Sequence, residues 1–179
     1  MVVKYSIVVP VFNEESVIDE FSKRTLAVMD SLGKPFEIIF VDDGSTDATF
    51  RKASEWASRS LAIKAIRLSR NFGHQIAITA GIDAASGEAV VVMDGDLQHP
   101  PELIPEMAKK WAEGFHVVNT ARMETEGIPL KKKIFSKIFY RVINMDSEVP
   151  IYPDAADFRL MDRAAVEAFR QLREQDRFV

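Results

Sequence analysis

Asp94 and Asp96 stand two residues apart at the end of the apolar run Ala89-Val90-Val91-Val92-Met93. A buried strand that ends this way delivers both carboxylates to one point at the carboxyl edge of a sheet. Gly95 between them lets the backbone turn with no side chain in the way. Two acids converging there suit a hard divalent cation, Mg²⁺ or Mn²⁺, and such a cation suits a diphosphate. Alone, an Asp-Gly-Asp triplet also fits a polar loop that caps the next helix, so the surrounding residues have to decide.

Asp42 closes a second apolar run, Phe36 to Val41, and Gly44-Ser45-Thr46-Asp47 then turns the chain into a helix. A carboxylate here can accept hydrogen bonds from the edge of a planar base, and the small residues leave room for a nucleotide. Asp43 and Asp47 read more simply as helix caps. A third polar cluster, Asn13-Glu14-Glu15, follows the first apolar run.

The elements that must position these residues alternate. Tyr5 to Val11, Phe36 to Val41, Ala62 to Leu68, the run before Asp94, and Phe115 to Thr120 read as strands. Between them lie segments of helical period. The first is capped by Asn13 and carries Val17, Ile18, Phe21, Leu26 and Met29 as far as Gly33. A second is capped by Ser45 or Thr46 and runs through Trp56. Others run from Gly73 to Ala85, from Pro100-Pro101 to Gly114, and from Asp162 to Arg173. This alternation predicts an α/β fold, a mainly parallel sheet with helices on both faces. Ligands bind such sheets at the strands' carboxyl ends, where all three acidic clusters fall.

Composition narrows the function. Hydrophobic content of 47% with 28% charged residues describes an ordinary globular chain, and its 179 residues fit one domain. A net charge of -4 argues against a nucleic-acid partner. With no cysteine, disulfides, thiolate catalysis and cysteine metal sites are excluded. Neither G-x-G-x-x-G nor G-x-x-x-x-G-K-[ST] occurs, so a dinucleotide fold and a P-loop lack support. The first residues read as a strand and not as a signal peptide. No apolar run approaches the roughly 18 residues of a membrane-spanning helix. The end at Asp176-Arg177-Phe178-Val179, without a helix stop signal, predicts that more chain follows.

Four segments carry a resemblance: Val9-Pro10-Val11-Phe12-Asn13-Glu14-Glu15, Val41-Asp42-Asp43-Gly44-Ser45-Thr46-Asp47, Arg70-Asn71-Phe72-Gly73 and Met93-Asp94-Gly95-Asp96-Leu97-Gln98-His99-Pro100. In this order and spacing they resemble the family 2, A-type glycosyltransferases. Within that family they are similar to the polyprenyl-phosphate branch, the bactoprenol glucosyltransferases and dolichol-phosphate mannose synthases. The match extends from about residue 5 to residue 179.

The resemblance implies a Rossmann-like A-type catalytic domain over residues 1–179, with a nucleotide-sugar part to about 122 and an acceptor part over 123–179. It implies that Pro10, Phe12, Glu14 and Asp42 line the nucleoside pocket and that Asp94 stands near the donor's ribose or diphosphate. Asp96 and Gln98 would hold Mg²⁺ or Mn²⁺, and the cation would neutralise charge on the departing nucleoside diphosphate. His99 is read as a loop residue, because a hard cation prefers oxygen. Ala155-Ala156-Asp157-Phe158-Arg159-Leu160 resembles a Gly-Asp-Phe-Arg segment of the branch, with Ala156 in place of the glycine. Its Asp157 would lie beside the anomeric carbon, either as base or as an orienting group, with Asp154 as its rival.

An anionic acceptor needs cations, and Arg122, Lys131 and Arg159 are the candidates. Lys131-Lys132-Lys133 adjoins Ile134, Phe135, Ile138, Phe139 and Val142, an apolar stripe at helical spacing. Such a segment, over 131–143, fits a membrane interface carrying anionic lipid or, alternatively, a helix packed on the sheet. The implied reaction is inverting transfer of a sugar, first glucose from UDP-glucose, to a polyprenyl phosphate at the cytoplasmic membrane face. GDP-mannose and a UDP-aminopentose are the alternative donors. The resemblance also implies membrane-spanning helices after the domain and a homo-oligomer. A nucleotidyltransferase would want a basic, Gly-rich loop where Val11-Phe12-Asn13-Glu14-Glu15 stands. A non-catalytic binding module would not need Asp94, Asp96, Gln98 and Asp157 together.

Overall fold

Every residue from Tyr5 to Val11 is buried, and this run forms β1. Consecutive apolar residues place hydrophobic groups on both faces, as a strand covered on two sides requires. β2 (Phe36–Asp42) and β4 (Ala89–Val92) follow the same logic, whereas β3 (Ile63–Arg67), at one end of the strand order, buries Ile63 and exposes Lys64 and Arg67; all three run parallel to β1. β5 spans Val117–Ala121 and β6 spans Ala155–Asp162. The six strands lie in the order β3-β2-β1-β4-β6-β5. The computed structural model describes residues 2–121 and 155–171. It divides the chain into two units, Met1–Val118 with Asp157–Val179, and Asn119–Ala156. Of the second unit, only the strand ends at 119–121 and 155–156 fall among the described residues.

Helices cover both faces of the sheet. They are α1 (Ile18–Ser31), α2 (Thr49–Arg59), α3 (His74–Ala84), α4 (Ile104–Ala112), entered through a 3₁₀ turn at Pro101–Leu103, and α5 (Arg163–Gln171). Side chains alternate along each strand, so Tyr5 and Phe40 serve one face while Val8, Ile39 and Val41 serve the other. On the first face Phe21 of α1 meets Phe40 edge-on at 5.9 Å, and Trp111 of α4 meets Tyr5 at 5.7 Å. Asp19 of α1 accepts hydrogen bonds from Lys52 and Trp56, which fastens α2 beside it. On the second face Val8, Ile39, Val41, Val90 and Val92 pack with Ala77, Ile78 and Ile82 of α3 and with Val166 and Phe169 of α5. Fully burying a large apolar side chain stabilises by about 1.5–3 kcal/mol, so these two layers fix the sheet that carries the site.

The parallel sheet and two-sided cover agree with expectation, and the element bounds shift by a few residues. β6 is not among the expected strands, and one assignment needs correction. β6 is a full strand, antiparallel to β4, with Val92 opposite Arg159 and Ala89 opposite Asp162. Its Asp157-Phe158-Arg159-Leu160 alternation is a strand pattern, with Phe158 and Leu160 buried. Asn13, Ser45 and Thr46 do not cap helices, since α1 and α2 begin later and neither has a side-chain cap. Gly95 and Asp96 form the turn as expected, while the left-handed residue of that loop is Leu97 at φ 64. Gly95 is needed for space: a β-carbon there would meet Val11 Cγ1 at 2.8 Å.

Candidate active site

β1 and β2 end level, with Val11 opposite Asp42, so the loops that follow them are neighbours. Their polar residues bind across the gap. Asn13 N donates to Ser45 Oγ at 2.9 Å, and Thr46 N donates to Asn13 Oδ1 at 2.9 Å. Glu14 N donates to Thr49 Oγ1, Glu15 N to Asp47 Oδ2, and Ala48 N to Glu15 Oε2. Asn13 takes a left-handed φ of 56 to do this, which asparagine tolerates better than most residues. The would-be caps thus lock two loops together and hold Glu14 at the sheet edge.

A cavity of about 470 Å³ opens at this edge, lined by Pro10, Val11, Phe12, Glu14, Asp43, Asn71, Gly73, His74, Ala77, Asp94, Gly95 and Asp96. Of the residues expected at the site, it collects Pro10, Phe12, Glu14, Asp94 and Asp96. Asp42 lies outside the lining: it is 1% exposed, its Oδ1 accepts from Ser45 N, and its Oδ2 sits 3.2 Å from Arg67 Nε. Arg67 also donates to Ser45 O and lies over the Phe50 ring. Asp43, expected to cap a helix, lines the cavity and clamps the next loop, accepting from Phe72 N at 2.7 Å and Gly73 N at 2.9 Å. Asp47 accepts from Thr49 N, the first residue of α2, and from Glu15 N across the gap.

Charge is concentrated at one side of the cavity. Burial, and then the nearby carboxylates of Asp96, Asp47 and Asp94, push the Glu14 carboxyl above its ordinary value. A cation would relieve that crowding. Gln98 N donates to Asp96 Oδ1 at 2.9 Å across the strained Leu97, which holds the Asp96 side chain in one orientation. Among the described residues no three acidic or histidine side chains already surround a metal position. The carboxylates of Glu14, Asp94 and Asp96 on the cavity lining are oxygen donors of the type that suits Mg²⁺ or Mn²⁺, which takes one or two protein oxygens and completes its shell with water and substrate phosphates.

Asp94 lies between two imidazoles: His74, which motif reading did not assign, and His99, which it read as a loop residue. His74 Nε2 is 3.3 Å from its Oδ1, and His99 Nδ1 is 3.6 Å from its Oδ2. His74 opens α3, one residue beyond the Arg70-Asn71-Phe72-Gly73 motif, and its place next to that motif was the available signal. Antiparallel pairing of Arg159 with Val92 carries the chain before Arg159 past the end of β4, toward Asp94. Asp157 is therefore at the carboxyl edge by backbone position. Its side chain, together with Arg122, Lys131, Asp154 and the 131–143 segment, lies outside the described residues.

Known proteins resemble this chain over its whole length. Residues 6–170 match the model for glycosyl transferase family 2. The uncharacterized glycosyltransferase YkcC of Bacillus subtilis is 47% identical over 177 residues, covering 99% of this chain and 55% of the relative. The bactoprenol glucosyl transferase of Shigella phage SfV is 38% identical over 176 residues, covering 98% and 57%. The chain thus spans a little over half the length of these relatives. Among solved structures, glucosyl-3-phosphoglycerate synthase from Mycobacterium tuberculosis in complex with Mn²⁺, UDP and phosphoglyceric acid superposes with a TM-score of 0.65. It is 20% identical, with 90% of this chain and 56% of that one covered.

Proposed function

We infer the function from one premise: this chain belongs to glycosyl transferase family 2. We propose that it is the catalytic domain of an inverting enzyme that moves a sugar from a nucleotide sugar onto a polyprenyl phosphate. Glucose from UDP-glucose is the first donor; GDP-mannose and a UDP-aminopentose are the alternatives. The observation that carries this reading is the convergence of Glu14, Asp94 and Asp96 on one cavity at the carboxyl edge. Similarity to a bactoprenol glucosyl transferase supports the lipid-phosphate acceptor.

In the reaction an acceptor phosphate oxygen bonds to the anomeric carbon as the bond from that carbon to the diphosphate breaks. The nucleoside diphosphate leaves, and configuration inverts. Because a phosphate is already ionised near neutral pH, no proton has to be removed from the acceptor. Asp157 then has the work of orienting sugar or acceptor. Pro10 and Phe12 face the nucleoside, while Asp96 and Gln98 would hold Mg²⁺ or Mn²⁺. That cation supplies Lewis-acid neutralisation of the leaving diphosphate. Asp42 supports the nucleoside pocket from beneath through Ser45 and Arg67. Arg122, Lys131 and Arg159 are assigned to the acceptor phosphate. Residues to about 122 serve the donor and 123–179 the acceptor, at the cytoplasmic face of the membrane.

Calorimetric titration with UDP-glucose and GDP-mannose, each with and without Mn²⁺, tests the donor half. Metal-dependent binding of one donor is expected. Binding of neither would point to another donor such as the UDP-aminopentose, and failure to bind UDP and GDP as well would sink the nucleotide-sugar reading for this chain. The acceptor half is tested by mass spectrometry of a polyprenyl-phosphate sugar formed from labelled donor in membranes that carry the acceptor.

A further inference from the structure

Glu14, Asp43, Asp94 and Asp96 make the cavity lining acidic, and among the described lining residues His74 carries the one basic side chain. A diphosphate entering such a lining needs hydrogen-bond donors of its own as well as a cation. His74 is held for that purpose from three directions. It opens α3, so its ring stands at a helix amino end, where an anion is favoured. The residue before it, Gly73, is fixed through its amide by the Asp43 carboxylate at 2.9 Å. Its Nε2 lies 3.3 Å from Asp94 Oδ1, which places a carboxylate directly beside the imidazole ring.

Asp94 is in turn backed from inside the protein. His99 is 6% exposed, its Nδ1 is 3.6 Å from Asp94 Oδ2, and its ring packs on Phe158 with centroids 5.5 Å apart. Among the described residues neither His99 ring nitrogen has a hydrogen-bond partner. A buried imidazole in that state costs free energy, and its position behind Asp94 gives a reason for keeping it. We propose that His74 is a binding residue for the diphosphate of the nucleotide sugar, with the Asp94 carboxylate beside its ring and the buried His99 ring behind Asp94. This rests on the nucleotide-sugar reading above and names the group that meets the phosphates.

The test compares a nucleotide with its own nucleoside. The parent chain and His74→Ala are titrated with UDP plus Mn²⁺ by calorimetry, and with uridine by ligand-observed NMR; GDP and guanosine replace them if the parent prefers that base. The His74 side chain is 43% exposed, so the variant is expected to keep the parent's thermal unfolding midpoint. Nucleotide affinity should fall about tenfold, the scale of a lost charge-assisted hydrogen bond, while nucleoside affinity stays unchanged. Unchanged nucleotide affinity overturns the inference, and so does an equal loss for nucleotide and nucleoside. A parent that binds neither UDP nor GDP overturns the underlying function as well, so the two failures are told apart.

Discussion

Asp96, Leu97 and Gln98 act together. Leu97 sits at φ 64, a conformation that costs a non-glycine residue roughly 1–2 kcal/mol. The strain lets Gln98 N reach Asp96 Oδ1 and so aims the carboxylate. A β-branched side chain tolerates that backbone less well than leucine. Leu97→Val is therefore expected to lower unfolding free energy by about 1–2 kcal/mol, seen in urea titrations, and to weaken Mn²⁺-dependent nucleotide binding. Asp96→Asn keeps the size of the side chain and removes its charge. It should abolish metal-dependent turnover in the longer protein; near-normal rates with Mg²⁺ or Mn²⁺ would sink the metal role of Asp96.

The loops work as pairs. Gly44 has φ +73, and a β-carbon there would meet Arg70 C at 2.5 Å and Asn71 N at 2.6 Å, both backbone atoms. The loop after β2 thus touches the loop before α3, which Asp43 clamps. Gly44→Ala should cost about 2 kcal/mol or more, some 4–8 °C in unfolding midpoint, and should weaken nucleotide binding by shifting Asn71 and Gly73. At the opposite end of the sheet Glu37, 3% exposed, joins three strands and the turn before β4. It accepts from Ser6 Oγ at 2.6 Å and from Ser86 N at 2.7 Å, and pairs with Lys64 at 2.5 Å. Burial would raise its carboxyl pKa, but Lys64, Ser6 and Ser86 overcome burial and hold it below the ordinary value. A depressed acid adds stability above its unfolded pKa and loses it as pH falls through the folded one. Glu37→Gln is expected to cost about 2 kcal/mol at pH 7 and to flatten the loss of stability in acid. An unchanged slope of stability against pH below about pH 4.5 would refute that assignment.

For the whole molecule, the order β3-β2-β1-β4-β6-β5 brings the ends of β1, β2 and β4, far apart in the chain, to one edge. Among the described residues no helix is long and apolar enough to cross a membrane; the lipid contact proposed for the 131–143 segment falls outside those residues. Replacing Lys131, Lys132 and Lys133 by Ala should weaken binding to vesicles containing anionic lipid, read by co-sedimentation; unchanged binding would favour a helix packed on the sheet. Apolar runs long enough to be strands and carboxylates at their ends are local properties of the chain, and they were legible residue by residue: the parallel sheet, the layers and the acidic edge could all be read in order. Partnership is not local. Whether Asn13 caps a helix or grips Ser45 and Thr46 depends on which loop lies beside it. Asp42 and Asp43 are neighbours in sequence, yet strand alternation turns one under Arg67 and the other toward the cavity. His74 meets Asp94 only because α3 and the loop after β4 pack at the same edge, whereas His99 approaches it from within that loop. Side-chain type and spacing therefore settled the kind of site, and packing between distant segments settled which residues face it.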